Sequence, residues 1–345
     1  MEKTIISWTL NDYCKAQCEY CPTHSKGGGQ PPEISEYIRI ANLLIDSYKV
    51  KQGRNIEWIF NGGEPFDMDY MPSFLKLCKE HGDSVTLHTS GGRLWIDWWA
   101  VEPHVDNLVL TFHHWQNPAL IKYIVDTFKS KGKGFSLSAP IRHTNVQEDI
   151  DRVLELEDQL GMLITKTQLY FNADPSAGML KYSWEDLQKI DFFNLTKEGR
   201  VRALEEKARR IEEQKKREEE RLRRLAEQPP QPVPAPPPPP PPPPPVEKSP
   251  LVEEVIYFQE TTWDQRYEDS YNQHPSYAGQ MCNAGVEKLV IGAQGWVAGS
   301  NCNNIPLGNI WHPGWMPPQG PQKCGMKACV DASDQLITKF PLNDL

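Results

Sequence analysis

No run of about 18 apolar residues occurs in these 345 residues, so the sequence offers no helix long enough to cross a bilayer. A charged-then-apolar leader is missing too: Met1-Glu2-Lys3-Thr4 moves straight into a strand-like stretch. Together these absences predict a soluble, cytoplasmic protein with no membrane partner. Cysteine is scarce for the length. The eight present are too few for a disulfide scaffold, and seven of them stand in two spaced groups, which in a reducing compartment reads as metal ligation. Positive charge is also short: the net charge is -9, and residues 197–227 carry 12 Lys/Arg against 9 Glu, leaving -12 on the rest. So acidic a body repels a phosphate backbone, which argues against generic nucleic-acid binding but admits a single nucleotide in a shaped pocket. What is plentiful forms cores. Hydrophobic residues at 39% and aromatics at 10%, spread over most of the length, exclude general disorder.

Composition changes abruptly over residues 197–250. Val201, Leu204, Ala208, Ile211, Lys215, Glu218, Leu222 and Leu225 share a 3,4 spacing in a background of charge, which predicts a helix with a thin seam. Lys215 and Glu218 interrupt that seam, favouring a solvated single helix held by Glu/Lys/Arg pairs four apart over a coiled-coil dimer. Residues 236–245 are ten consecutive prolines. At about 3.1 Å per residue they would form a polyproline II rod of roughly 30 Å. The rod reads as a stiff spacer, or as a docking strip for a proline-rich-motif reader. The expected domain limits are therefore 1–194, a charged-helix and polyproline linker at 195–250, and a C-terminal domain at 251–345.

Ahead of the insert, strand-like runs (residues 4–11, 56–61, 85–90, 108–113, 135–141, 164–172) alternate with helix-like ones (34–48, 71–81, 94–101, 118–130, 146–160). Six such units imply an α/β fold with a parallel sheet. A closed eight-unit barrel typically needs about 250 residues, so an open partial barrel or a doubly wound sheet is expected. Parallel strands covered on both sides read as continuous Val, Ile and Leu. Here alternate positions are polar: Ser7, Thr9 and Asn11; Glu57 and Asn61; Thr86, His88 and Ser90; Thr111 and His113; Ser136 and Ser138; Lys166, Gln168, Tyr170 and Asn172. That side is expected to line a wet, ligand-filled lumen.

Cys14, Cys18 and Cys21 form C-x3-C-x2-C in the loop after the first strand. Three thiolates so close can hold three corners of an iron–sulfur cube and leave the fourth iron open. Zinc is the alternative, with His24 as a fourth ligand. The loop falls at the C-terminal edge of the sheet, where α/β folds bind ligands. At the end of the second strand stands Asn61-Gly62-Gly63-Glu64-Pro65, whose two glycines permit close backbone approach to a ligand. Cys78, in a helical run, reads as a small core residue.

With both motifs at one sheet edge, the sequence resembles the radical S-adenosylmethionine (SAM) superfamily over residues 4–190. Cys14, Cys18 and Cys21, with the aromatic Tyr20, match its cluster motif, and Gly62, Gly63, Glu64 and Pro65 its glycine-rich motif. The resemblance implies a partial (β/α)6 TIM-like barrel and a 4Fe-4S cluster whose open iron is chelated by the amino and carboxylate groups of SAM. It implies that Gly62 to Pro65 receive the amino group. It further implies one-electron cleavage of SAM to methionine and a 5'-deoxyadenosyl radical that takes a substrate hydrogen, and an electron donor such as flavodoxin or ferredoxin. Ser90 and His113, ending the third and fourth strands, are then placed for ribose or substrate contacts, and Arg142, past the fifth, for a carboxylate.

Cys282, Cys302, Cys324 and Cys329 make up the second group. A hairpin pattern, residues 287–291, Ala293-Gln294-Gly295 and residues 296–298, brings the first two together, and Gly-Met-Lys-Ala separates the last two. Four converging thiolates make a zinc site or an auxiliary four-iron cluster. This half resembles the SPASM extension of radical SAM enzymes, or its shorter twitch form. The shared features are a cysteine before Ala284 and Gly285, a turn at Gly295, a cysteine closing the hairpin, the Leu307-Gly308-Asn309-Ile310 stretch and a late cysteine pair. Four cysteines ligate at most one auxiliary 4Fe-4S cluster, and spacings around Gly295 and the late pair depart from the pattern, so zinc stays open. The resemblance implies a peptide or protein substrate; a nucleobase, nucleotide or other small molecule is the alternative, and a non-enzymatic zinc-stabilised scaffold a third. No leader-peptide-binding domain is expected ahead of the first strand, and no catalytic acid or base stands out.

Overall fold

A computed structural model describes residues 2–16, 18–21, 31–81, 84–92, 96–169, 182–227, 277–301, 306–325, 329, 334 and 336–341. The expectations for His24, Tyr170, Asn172, Cys302 and the ten-proline run lie outside the described residues.

Six strands, β1 (Lys3–Thr9), β2 (Asn55–Asn61), β3 (Ser84–Thr89), β4 (Asn107–Thr111), β5 (Gly134–Ile141) and β6 (Thr165–Gln168), are parallel and stand side by side in chain order. Helices α1 (Ile34–Leu44), α2 (Met71–His81), α3 (Trp98–Val101), α4 (Pro118–Ser130) and α5 (Val146–Leu160) connect them in turn. A doubly wound sheet needs a reversal of strand order to place helices on both faces. This order never reverses, and right-handed crossovers then put every helix on one face. The architecture is the open, partial (β/α)6 form, and among the described residues the sheet does not close.

Strand burial follows from that one-sided cover. In β1, Thr4, Ile6 and Trp8 are buried against the helices while Ile5, Ser7 and Thr9 are partly open, and β2 alternates in register with it. Trp8, Phe60, Tyr37 and Phe74 form an aromatic cluster between sheet and helices, with Trp8 5.6 Å from Tyr37 and edge-on to Phe74 at 5.8 Å. Each such side chain contributes roughly 1.5–3 kcal/mol on burial. On the opposite face Ser7, Thr9, Glu57, Asn61, Thr86, His88, Thr111, Ser136 and Ser138 keep access to solvent, as a lumen requires.

The last strand departs from the expectation. Ser138 pairs with Thr165 and Ala139 with Lys166, so the threonines of β6 share the polar face and Lys166 turns to the helices. There its ammonium is buried on the Glu157 carboxylate of α5 and donates to the Ile164 carbonyl at 3.1 Å. A one-residue change of phase moves every side chain of a strand to the other face. Asn11 is likewise buried, beneath the loop that follows β1.

After the insert come β7 (Met281–Cys282), β8 (Lys288–Ile291), β9 (Trp296–Ala298), β10 (Pro306–Asn309), β11 (Gln322–Lys323) and β12 (Lys339–Phe340). The expected hairpin is β8–β9, but β8 also lies parallel to β1, extending the main sheet to nine strands. Thr4 Oγ1 donates to the Val286 carbonyl at 2.7 Å and Tyr48 donates its hydroxyl proton to the Gly285 carbonyl at 2.5 Å. Residues Met1–Asn194 and Tyr267–Leu345 consequently make one compact unit, and Leu195–Arg266 another. In the second unit the helix Lys197–Glu227 is a single charged helix whose Arg209–Glu213, Arg210–Glu206 and Lys216–Glu212 pairs sit four residues apart, and whose Val201, Leu204 and Ile211 are exposed. No described helix is long and apolar enough to cross a membrane.

Candidate functional site

The loops after β1 and β2 are bound together by backbone. Gly63 N–H donates to the Asn11 carbonyl at 2.9 Å and Glu64 N–H to the Tyr13 carbonyl at 3.1 Å. A Cβ on Gly63 would stand 2.0 Å from Tyr13 O, and one on Gly62, whose φ is +148°, 2.8 Å from Asn11 O. Only glycine fits either place. The pair thus lets the β2 loop press against the root of the cysteine loop, while its other side faces a cavity.

That cavity, about 180 Å³, opens at the C-terminal ends of β1 to β4. Cys14, Cys18 and Cys21 line it together with Gly62, Gly63, Ser90 and His113. These predicted residues, drawn from four loops, line one cavity. Glu64, Pro65 and Arg142 are not among its lining residues. Glu64 is buried behind it, where its carboxylate accepts from Phe66 N at 3.0 Å, Thr89 Oγ1 at 2.6 Å, Ser90 N at 2.9 Å and Ser90 Oγ at 2.5 Å. Burial pushes its pKa up, against the four hydrogen bonds. The carboxylate ties the end of β2 to the end of β3 and sets Ser90 at the rim. Arg142 is engaged by the helix that follows it, α5: its Nη2 donates to Asp149 Oδ1 at 2.6 Å and its Nε to Oδ2 at 3.0 Å.

An aromatic stack of Tyr20, His113 and Trp115 also lines the cavity. Tyr20, between Cys18 and Cys21, stacks on His113 at 6.0 Å, and its hydroxyl shares a hydrogen bond with His113 Nδ1 at 2.6 Å. His113 stacks in turn on Trp115 at 5.7 Å, and the Trp115 indole N–H donates to Cys18 Sγ at 3.1 Å. Burial, with His114 beside it, lowers the His113 pKa from 6.5 to about 4, so the ring beside Tyr20 is neutral. Unfolded, the same imidazole takes its proton near 6.5. As pH falls the unfolded chain is protonated first, and stability is lost between those two values and levels off below the lower one. The loss expected in the metal-free protein is up to about 3 kcal/mol. Urea melts of wild type and His113→Gln over this range check it: equal acid sensitivity in the two proteins contradicts the assignment.

Sequence reasoning missed Trp115 as a cavity residue, although it continues the two-residue alternation Thr111, His113, Trp115 at the end of β4. His88, expected on the lumen side of β3, lines the cavity.

The donor set of the first group is three soft thiols lining one cavity, which fits an iron–sulfur cube with one iron left to a small ligand. Among the described residues no three His, Cys, Asp or Glu side chains are gathered for a single metal ion. Of the second group, Cys282 lies in the small sheet β11–β7–β12, where it faces Gln322 on one side and Lys339 on the other, with Cys324 and Cys329 nearby. Cys282, Cys324 and Cys329 are all buried. Burial pushes the Cys282 thiol up to about 11, and Cys324 and Cys329 nearby add to the shift.

No protein-family model matches the sequence. No curated protein matches it either. Among solved structures it is similar to Streptococcus suis SuiB bound to S-adenosylmethionine, at 13% identity and TM-score 0.43, over 93% of this chain and 63% of that one. It is similar to a histidine-tagged anSMEcpe with bound AdoMet, at 11% and 0.44, over 90% and 75%. The native anSMEcpe with bound AdoMet and Cp18Cys peptide gives 12% and 0.45, over 90% and 78%. The chain thus spans less than two thirds of the length of SuiB.

Proposed function

We propose that the chain holds a 4Fe-4S cluster on Cys14, Cys18 and Cys21 and cleaves SAM there to remove a hydrogen atom from a peptide or protein side chain. The observation that carries this reading is the sharing of one cavity by three thiols, the Gly62–Gly63 backbone and Ser90 at the C-terminal ends of parallel strands. When bound, the cluster supplies the electron that breaks a carbon–sulfur bond of SAM. The protein's part is binding, orientation and exclusion of water. Glu64 fixes Ser90 where a ribose or substrate hydroxyl can reach it, neutral His113 adds no competing positive charge, and Thr111 and His88 present polar groups from the open sheet face. The peptide class rests on the likeness of residues 282–310 to the SPASM or twitch pattern. Cys282, Cys324 and Cys329 are assigned, with Cys302, to an auxiliary cluster.

Anaerobic reconstitution tests the reading. A brown protein with about eight irons per chain, four for each cluster, and SAM-dependent 5'-deoxyadenosine is expected. Four irons with the same product leave zinc at the second site. A colourless zinc protein that leaves SAM intact refutes the enzyme and favours a scaffold.

A further inference from the structure

Cys18 differs from the other two thiols of the first group in its neighbours. It is buried, and the Trp115 indole N–H points at its sulfur from the end of β4, 3.1 Å away. Indole nitrogen is only a donor, so the bond has one polarity: hydrogen towards sulfur. The ring that carries it is held. Trp115 lies nearly parallel to His113, with 7° between the planes, and His113 is fixed by the Tyr20 hydroxyl at 2.6 Å and by Gln116, whose Oε1 accepts from His113 N at 2.5 Å. Tyr20 belongs to the cysteine loop itself. The contacts therefore close a circuit: cysteine loop to His113, His113 to Trp115, and Trp115 back to Cys18. A donor that could swing away would average to little, whereas one clamped at both ends acts continuously.

We propose that Trp115 is a positioning residue that sets the reduction potential of the cluster by donating a hydrogen bond to the Cys18 thiolate, with His113 and Tyr20 fixing the angle of the indole. This inference rests on the cluster assignment given above. Taking up one electron increases the negative charge on the ligating sulfurs, and an N–H dipole aimed at one of them stabilises that charge. Hydrogen bonds to ionised acceptors are the strong ones, so a single donor has a measurable effect. Trp115 raises the potential and makes the reduced state reachable by a weaker donor.

The test is Trp115→Phe, which keeps a ring to stack on His113 and removes the N–H. Trp115 is 44% exposed, so the change leaves the core intact. Wild type and variant are reconstituted anaerobically, their iron is counted, and the SAM-binding cluster is titrated by electron paramagnetic resonance at fixed solution potentials. At equal iron content the reduced-to-oxidised ratio of the variant is expected to fall about tenfold at any given potential, a shift of about 59 mV to more negative values for one electron. Coincident titrations at equal loading overturn the proposal. A variant that fails to load where wild type loads also overturns it, since Trp115 would then serve assembly. If wild type takes up no cluster, the cluster assignment itself fails, an outcome distinct from the other two.

Discussion

Cys18→Ala is expected to reduce SAM cleavage to background while the protein stays folded. Of the three thiols on the cavity wall, Cys18 is the buried one, and its carbonyl accepts from Cys21 N at 3.0 Å, so it lies at the turn that carries the third cysteine. Removing the sulfur leaves two thiols for a cluster that needs three protein ligands and one exchangeable corner. It also leaves the Trp115 indole N–H to water, which costs little at a side chain open to solvent. The cavity is at the surface end of the sheet, away from the aromatic cluster around Trp8, so thermal stability of the metal-free protein is expected to change little. The measurements are iron content, 5'-deoxyadenosine yield after chemical reduction, and a thermal melt. Cys282→Ala is the control: it reaches only the small β11–β7–β12 sheet, and cleavage should survive it even where substrate conversion suffers. If Cys18→Ala still forms 5'-deoxyadenosine at a rate near wild type, the first cysteine group is not the site of the chemistry.

The contrast between those two variants shows what could be seen before any coordinates. Ligand sets written as short spacings, such as Cys14, Cys18 and Cys21 or Gly62 and Gly63, are local, and a parallel sheet brings consecutive loops to one edge. Polar alternation on β1 to β5 told which face was open, because right-handed crossovers between strands whose order never reverses leave every helix on one side. What stayed hidden is long-range or depends on phase. The bond from Trp115 to Cys18 joins residues 97 apart. The pairing of β8 with β1 sets Lys288 against Ile5 across most of the chain, and nothing in a four-residue apolar run announces a partner so distant. Lys166 lies on the opposite face from the one expected because register, which a sequence does not display, decides which of two alternating sets is buried. Arg142 looked available for a carboxylate, yet Asp149, seven residues on and nearly fully buried, already occupies its fork.

Gly63→Ala is expected to be strongly destabilising, because its added methyl meets backbone that cannot move aside. The added carbon would stand 2.0 Å from Tyr13 O, 2.5 Å from Tyr13 C and 2.8 Å from Asn11 Oδ1. Two of these atoms are backbone, so no rotamer change relieves the contact. The loops must part, and parting breaks the 2.9 Å bond from Gly63 N to Asn11 O and the 3.1 Å bond from Glu64 N to Tyr13 O. Overpacking against a rigid neighbour costs about 3 kcal/mol at the upper end of the usual range, which for a chain of this size lowers the melting temperature by about 5 °C. Gly132→Ala separates this packing effect from backbone conformation. Gly132 has φ +65° with nothing within 4 Å of its would-be Cβ, so its substitution carries only left-handed strain, about 1 kcal/mol. The two variants should also differ in function. Pushing Tyr13 outward displaces the start of the cysteine loop, so Gly63→Ala should lose iron together with stability, while Gly132→Ala, in the turn between α4 and β5, should keep its iron. Equal melting temperatures and equal iron in the two variants would mean that the two loops are not braced against each other at Gly63, which has no left-handed backbone to explain a loss.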